Sequence, residues 1–335
     1  MLALERAYRL RLGIPESSEL LPNLATLQSL VERHLESIPF ENISLHMTGE
    51  RESPIPLDRP SLVHKILTKR RGGCCLELNG LFSLLLQDLG FPVVQLVPCF
   101  VAAGPERGHK SSKKFRTIAS HFILMVGLQR QDTPEYYMVD VGLGEPPLGP
   151  WPYHEAMINR SYSTPDGMEI RIVWDRLWVD GSGHQKQCII LEWKQTEMNG
   201  QEVTTWWEPR LQWDIIDAPV LLDAQQQLLS ASPRYTLQSF SYVIDLLRQP
   251  KSSFARKMII CTVSRDTKLS ISGRRMKRTS PRFGISSESN IVDLPTDDAL
   301  ALALETHFGI KLLPHERLDL RKSDSECKSR LWDHL

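Results

Sequence analysis

Long apolar runs are missing from this 335-residue sequence, and no stretch reaches the ~18 apolar residues of a membrane-spanning helix. The first residues, from Met1 to Arg6, also lack an apolar core of signal-peptide length. Neither sign of charge is in excess, because 40 basic residues balance 40 acidic ones, and no protein-wide basic field would attract nucleic acid. These absences predict a cytosolic protein whose partners include neither nucleic acid nor a membrane. They leave the oligomeric state open.

Metal-binding patterns are missing as well. The six cysteines include no Cys-x-x-Cys pair, and no histidines stand at the spacing of a zinc site. Cys74 and Cys75 are adjacent, a spacing that seldom serves one metal ion. Free thiols scattered through a chain of this length indicate a reducing compartment. The sequence therefore predicts no metal cofactor.

Internal repeats are absent too, and the chain is longer than a single hydrophobic core usually supports, so we expect several domains. Residues 1–91 have helical periodicity. Residues 92–220 have strand-like periodicity, and most tryptophans lie between Trp151 and Trp213, which indicates a β-barrel or sheet core. Residues 221–335 begin with a connecting segment, continue with mixed helices and strands, and end in a charged tail.

The most informative stretch runs from Arg71 to Phe82 and reads RGGCCLELNGLF. Apolar residues recur at helical spacing from Leu78 until Gly90, which predicts a helix with one buried face. Cys75 would lie in its first turn, where unpaired N–H groups and the helix dipole favour a thiolate. Gly72-Gly73 permits a sharp turn into the helix. The pattern suits a nucleophilic cysteine, and two small buried hydrophobic residues would produce it equally well.

A nucleophilic thiolate needs a base or imidazolium partner and a group that orients this partner. His121 opens the apolar stretch 121–126, and Asp140 closes the stretch 136–139. If these stretches are adjacent strands joined by a loop, the two side chains lie next to each other. His121 and Asp140 are therefore the candidate partners of Cys75, and a Cys–His–Asp set also serves thiol proteases and transglutaminases.

These motifs, in this order, resemble the arylamine N-acetyltransferase family. The likeness extends along nearly the whole chain through Pro-Phe-Glu-Asn at 39–42, Arg-Gly-Gly-x-Cys at 71–75, Val-Asp-Val-Gly-x-Gly at 139–144, Pro-Lys-Ser-Ser-Phe at 250–254 and Phe-Gly-Ile at 308–310. The resemblance implies an α+β fold: an N-terminal helical bundle with the nucleophile, a central β-barrel with His121 and Asp140, and a C-terminal α/β lid. The thiol-enzyme site would lie between these domains.

The resemblance also implies a reaction. Cys75 would take the acetyl group from acetyl-CoA as the acyl-donor cosubstrate, and an arylamine or hydrazine would then accept it. His121 would handle the proton of the amine, and Asp140 would orient the imidazole. Ping-pong kinetics follow, because CoA leaves before the amine binds.

Three further residues are expected to line the acceptor pocket. Phe40 and Phe100 are assigned to it by the resemblance. Leu143 occupies a position where the family has an aromatic residue between two glycines. Since leucine is smaller and has no π face, we expect this pocket to accept bulkier arylamines.

The resemblance assigns two more pairs of residues. Ser252 and Ser253 match a family segment that approaches CoA, so their hydroxyls are expected to hydrogen-bond its phosphates. The basic loop 104–116 is a second candidate for these phosphates, or an ordinary solvated charge run. Glu41 and Arg71 are expected to form a buried ion pair, with a solvated surface pair as the alternative.

Other functions stay open at this point. The same fold and triad would also serve another acyl donor such as malonyl-CoA, or macrolactam closure, and a Cys–His–Asp thiol hydrolase would share the residues. A non-catalytic scaffold is the alternative from a different class. It would be expected to lack a triad position, and here all three are present.

Overall fold

The computed structural model describes residues 3–47, 55–102, 115–130, 133–154, 157–178, 185–199, 201–214, 235–283, 288–313, 316 and 318. The connecting segment that begins residues 221–335, nearly all of the basic loop 104–116 and the charged tail from residue 319 lie outside the described residues.

The N-terminal part of the chain is helical, as its periodicity predicts. Its elements are α1 (Ala3–Leu12), α2 (Leu24–Ser37), the short strand β1 (Phe40–Glu41), a 3-10 turn (Ile43–His46), α3 (Arg59–Leu62), a π-helical turn (Val63–Thr68) and α4 (Cys75–Asp88). The predicted single buried face of α4 is wrong, because every residue from Cys75 to Ser83 is buried. The reason is that α4 contacts α1 and α3 as well as strands of the central sheet. In the described part of the chain, no helix is long and apolar enough to cross a membrane.

The central part forms an eight-stranded antiparallel sheet. Its strands are β2 (Val93–Val101), β3 (His121–Arg130), β4 (Thr133–Val139), β5 (Trp151–Pro152), β6 (Ser161–Ser163), β7 (Glu169–Trp178), β8 (Gln185–Asn199) and β9 (Glu202–Asp214). Their order is β5-β4-β3-β2-β9-β8-β7-β6. The predicted β-barrel is a curled half-barrel, because the two short edge strands β5 and β6 do not pair with each other. Trp151, Trp193 and Trp213 are fully buried, in agreement with a core role for these tryptophans.

The C-terminal part combines helices with a second sheet. Its elements are α5 (Ser241–Arg248), α6 (Ser253–Arg256), β10 (Ile259–Val263), β11 (Lys268–Ser272), β12 (Arg275–Ser280), β13 (Glu288–Asp293) and α7 (Asp297–Phe308). The sheet order is β1-β10-β11-β12-β13, so strand β1 from the N-terminal part forms one edge. Segments 1–91 and 221–335 thus share a sheet, and the proposed domain boundaries stay predictions.

Candidate active site

The start of α4 is built around Cys74 and Cys75. Cys74 is the residue that precedes the helix, and its N–H donates to Glu77 Oε2 at 3.0 Å. Glu77 also accepts from Lys65 Nζ at 2.7 and 3.0 Å. A Cβ at Gly73 would lie 2.8 Å from Glu77 Cβ, so glycine makes room for this carboxylate. The helix therefore begins with both thiols buried and with its first N–H groups partly satisfied.

The glycine pair also brings the nucleophile loop against strand β1. Gly73 N–H donates to Pro39 O at 3.3 Å, and Glu41 N–H donates to Gly73 O at 2.9 Å. A Cβ at Gly72 would overlap the carbonyl oxygen of Pro39. The Arg-Gly-Gly and Pro-Phe-Glu-Asn motifs are thus adjacent in space, although they are far apart in sequence.

The structure brings Glu41 and Arg71 together as a buried ion pair. Arg71 Nη2 lies 3.0 Å and Arg71 Nε 3.1 Å from Glu41 Oε1. The other carboxylate oxygen accepts from Ile43 N–H at 2.6 Å. Burial would raise the pKa of Glu41, but the charges of Arg71 and Lys65 together with these hydrogen bonds hold it below its usual value.

The structure also brings His121 and Asp140 together. Strands β3 and β4 are antiparallel neighbours with Leu124 opposite Val139, so the start of β3 lies beside the end of β4. His121 Nε2 is 2.7 Å from Asp140 Oδ2, and both side chains are completely buried. The predicted adjacency of these two strands is confirmed.

Asn79 holds the carboxylate of Asp140 in place. Its Nδ2 donates to Asp140 Oδ1 at 3.0 Å, and its Oδ1 accepts from Val141 N–H at 2.8 Å. Gly142 N–H donates to the same Asp140 oxygen at 2.9 Å. Sequence reasoning gave Asn79 no role. A usable signal was its four-residue spacing from Cys75, which places both side chains on one face of α4.

Close packing brings the strand ends against the helix start. A Cβ at Gly142 would lie 2.7 Å from Cys75 O and 2.8 Å from Cys75 Cα. The thiol and the imidazole are close enough to shift each other's pKa. His121 Nδ1, the nitrogen not bound to Asp140, is buried and has no hydrogen bond of ordinary geometry in the described part of the chain.

The electrostatics favour a thiolate–imidazolium pair. The neighbouring Cys74 thiol and the imidazole of His121 lower the pKa of Cys75 to about 6, against the opposing effects of burial and Asp140. Burial disfavours charged His121, but Asp140 and Cys75 outweigh it and raise its pKa to about 10. These opposite shifts favour the charged forms of both side chains near neutral pH.

The three residues predicted for the acceptor pocket lie on different elements. Phe40 is buried on β1 and packs against Phe254, with ring centroids 6.0 Å apart. Phe100 is partly buried on β2, one residue after Cys99, which pairs with His121. Leu143 is buried in the loop that follows Asp140. All three therefore belong to elements that also carry or adjoin triad residues.

The two serines predicted to contact CoA begin α6. Asn42 holds this segment, because its Nδ2 donates to the carbonyl oxygens of Phe254 and Lys257, each at 2.9 Å. Its Oδ1 accepts from Ile259 N–H at 2.7 Å. Sequence reasoning missed this role for Asn42. Ser253 is buried and Ser252 is partly buried, and their contact with CoA stays a prediction.

Metal ligation has no candidate among the described residues, where no group of three or more His, Cys, Asp or Glu side chains is placed to hold an ion. The side chains that meet at this site are the thiol of Cys75, the imidazole of His121 and the carboxylate of Asp140. This set suits nucleophilic acyl transfer.

Comparison with known proteins identifies the family. The model of the N-acetyltransferase family matches residues 23–317 of this chain. The chain belongs to the arylamine N-acetyltransferase family. The chicken (Gallus gallus) liver arylamine N-acetyltransferase is 32% identical over 129 residues, which cover 38% of this chain and only 40% of the chicken protein. Mouse (Mus musculus) arylamine N-acetyltransferase 2 is 24% identical over 91% of this chain and 93% of its own length.

The family fold extends over the chain as well. The arylamine N-acetyltransferase of Mycobacterium abscessus superposes with a TM-score of 0.67 over 93% of this chain and 91% of its own, at 22% identity. The Mycobacterium marinum arylamine N-acetyltransferase, whose structure was determined in complex with CoA, superposes with a TM-score of 0.63 over 91% of this chain and 92% of its own, at 21% identity. N-malonyltransferase FDB2 of Gibberella moniliformis is 33% identical over 149 residues, which cover 44% of this chain and 38% of that protein.

Proposed function

We propose that this protein transfers an acetyl group from acetyl-CoA to an arylamine or hydrazine through an acetyl-Cys75 intermediate. The observation that carries the proposal is the buried Cys75 thiol of lowered pKa beside the His121–Asp140 pair, in a member of the arylamine N-acetyltransferase family. The CoA complex of the Mycobacterium marinum relative supports CoA as the carrier of the acyl group. The cytosolic location stays a prediction.

In the first half-reaction, the Cys75 thiolate attacks the thioester carbonyl of acetyl-CoA. A bond forms between Cys75 Sγ and the acetyl carbon, and the bond from this carbon to the CoA sulfur breaks. The imidazolium of His121 gives its proton to the departing sulfur. The products are acetyl-Cys75, neutral His121 and free CoA.

In the second half-reaction, the amine nitrogen attacks the acetyl carbon of acetyl-Cys75. Neutral His121 takes the amine proton, and Cys75 leaves as a thiolate, so the starting ion pair is restored. Asp140 orients the imidazole throughout and stabilises its charged form. We assign Phe40, Phe100 and Leu143 to the lining of the acceptor pocket. We assign Ser252 and Ser253 to the binding of CoA.

A second candidate donor is malonyl-CoA, favoured by the similarity to the Gibberella moniliformis N-malonyltransferase. Malonyl-CoA would react at the same thiolate. Its additional carboxylate would need a cation or hydrogen-bond donors beside the acyl group.

Intact-protein mass spectrometry after incubation with each acyl-CoA, in the absence of amine, tests the proposal. We expect the wild type to gain one acetyl group from acetyl-CoA, Cys75→Ala to gain none, and Cys74→Ala to gain one. A second step uses acetyl-CoA with a labelled acetyl group. Transfer of this acetyl group from the acetyl-enzyme to an added arylamine completes the test. Acylation of Cys75→Ala would show that the nucleophile is assigned wrongly, and acylation by malonyl-CoA alone would favour the second donor.

A further inference from the structure

The loop that follows Asp140 depends on other elements for its conformation. Residues 143–149 lie between β4 and β5, outside the named helices and strands. Pro146 and Pro147 have no N–H to donate. Side chains from outside the loop bind its backbone.

Arg282, just beyond β12 of the C-terminal sheet, supplies most of this support. Its Nη2 donates to Pro146 O at 2.7 Å, and its Nη1 lies 2.6 Å from Asp166 Oδ2. Asp166 in turn accepts from Leu148 N–H at 3.1 Å through its Oδ1. Both charged side chains are almost completely buried. One buried ion pair therefore holds the loop at two backbone positions.

A second ion pair reaches the same loop from the same sheet. Lys268 on β11 pairs with Glu145, and both side chains are largely buried. The C-terminal sheet thus contacts three of the four residues from Glu145 to Leu148, either directly or through Asp166.

The loop has independent supports at its two ends. Its start is held on the α4 side, where Gly142 N–H and Asn79 bind Asp140. Its far part is held by Arg282. Leu143 lies between these two supports in the sequence, and the hydrogen bonds that hold Asp140 involve neither Arg282 nor Asp166.

We propose that Arg282 is a positioning residue that sets the preference for the acceptor amine by fixing the loop 145–148 next to Leu143. The role rests on the proposed function. Because the triad is held separately, Arg282 acts on aminolysis of the acetyl-enzyme and leaves its formation nearly unchanged.

The test separates the two half-reactions in Arg282→Lys and Arg282→Met. Acetyl-Cys75 formation is followed by rapid-quench mass spectrometry without amine, and kcat/KM is measured for aniline and for the bulkier 2-aminonaphthalene. We expect acetylation rates within about 2-fold of the wild type. The ratio of the two kcat/KM values should change by about 10-fold in Arg282→Met, the usual range for a reshaped apolar pocket, and by less in Arg282→Lys.

Arg275→Met is the matched control, because Arg275 forms an exposed ion pair with Asp293 on the same sheet. It should leave both half-reactions and the amine ratio unchanged. If Arg282→Met fails to fold, Arg282→Lys and Lys268→Met carry the test. An unchanged amine ratio in the folded variants, or equal losses in acetylation and aminolysis, would overturn the proposal. A wild type that forms no acetyl-enzyme would instead overturn the proposed function itself, and this role with it.

Discussion

At the residue scale, the pKa values of the adjacent thiols Cys74 and Cys75 are shifted in opposite directions. The pKa of Cys75 is lowered to about 6, first by the neighbouring Cys74 thiol and then by His121. The pKa of Cys74 is raised well above its usual value by the Cys75 thiol and by burial. A thiol that stays protonated can donate to its neighbour, so we predict that Cys74 favours the thiolate form of Cys75.

The pH dependence of alkylation tests this role of Cys74. A lowered pKa means that the thiolate is already abundant below the ~8.5 of a free thiol. The rate of iodoacetamide attachment to Cys75, followed by peptide mass spectrometry, should therefore rise through pH 6 and be level near neutrality. In Cys74→Ala the midpoint should move upward, and in Cys74→Ser by less because the hydroxyl still donates. Identical midpoints in all three proteins would contradict the role.

At the scale of elements, α4 carries both the nucleophile and the side chain that fixes the carboxylate. Asn79→Ala removes one donor from Asp140 and leaves Val141 N–H without its acceptor. We expect a loss of about 1–3 kcal/mol in the free energy of unfolding. We also expect slower acetyl-Cys75 formation, because the imidazole is less well oriented. Urea unfolding and rapid-quench mass spectrometry measure the two effects.

Ser83→Ala is the control for Asn79→Ala. Ser83 is also buried on α4, and its hydroxyl donates to Gly80 O within the helix. The Ser83→Ala substitution should lower the free energy of unfolding slightly and leave the acetylation rate unchanged. Equal effects of the two substitutions on acetylation would show that Asn79 supports only the fold.

Ser252 and Ser253, at the start of α6, give another prediction at the scale of elements. If Ser252 and Ser253 bind the phosphates of CoA, their joint replacement by alanine should raise KM for acetyl-CoA about 5-fold for each ~1 kcal/mol of hydrogen bonding lost. The relative rates with different amines should stay as they are. Ser270→Ala, on β11, is the control because its hydroxyl contacts only Lys277 O among the described residues. An unchanged KM in the double variant would remove both serines from the CoA site.

At the scale of the whole molecule, strand β1 joins the N-terminal helices to the C-terminal sheet. Glu41 on β1 pairs with Arg71 in front of the nucleophile loop, and the next residue, Asn42, holds α6. Breaking such a buried pair leaves an unpaired charge and costs about 3–5 kcal/mol. Glu41→Gln should therefore lower the free energy of unfolding by this order, as measured by urea unfolding at neutral pH.

Glu41 stabilises the folded protein in its charged form, so its contribution to the free energy of unfolding depends on pH. The pKa of Glu41 in the folded protein lies below the unfolded value of 4.5, so its contribution is complete above pH 4.5 and is lost as the pH falls through the folded pKa. The stability difference between wild type and Glu41→Gln should shrink over that acidic window. Asp293→Asn, in an exposed pair, should show little difference at any pH. A difference that stays constant in acid would contradict the role of the charge.

The sequence by itself determined the features that depend on neighbouring residues. The start of α4 follows from two glycines before an apolar repeat, and α7 begins where Thr296 caps it, with Thr296 Oγ1 accepting from Ala299 N–H at 3.1 Å. These local patterns were sufficient because capping and periodicity act within a turn or two of chain. The family motifs, in order, were also readable from the sequence.

Only the tertiary structure decided how distant segments meet. Asn79 and Asp140 are 61 residues apart, and Arg282 and Asp166 are 116 apart. The open edge of the half-barrel and the insertion of β1 beside β10 are equally non-local. Strand order and register depend on how all faces are buried together, and no local pattern encodes that choice. The contact of Asn79 with Asp140 and the contact of Arg282 with the loop therefore became evident only in the folded chain.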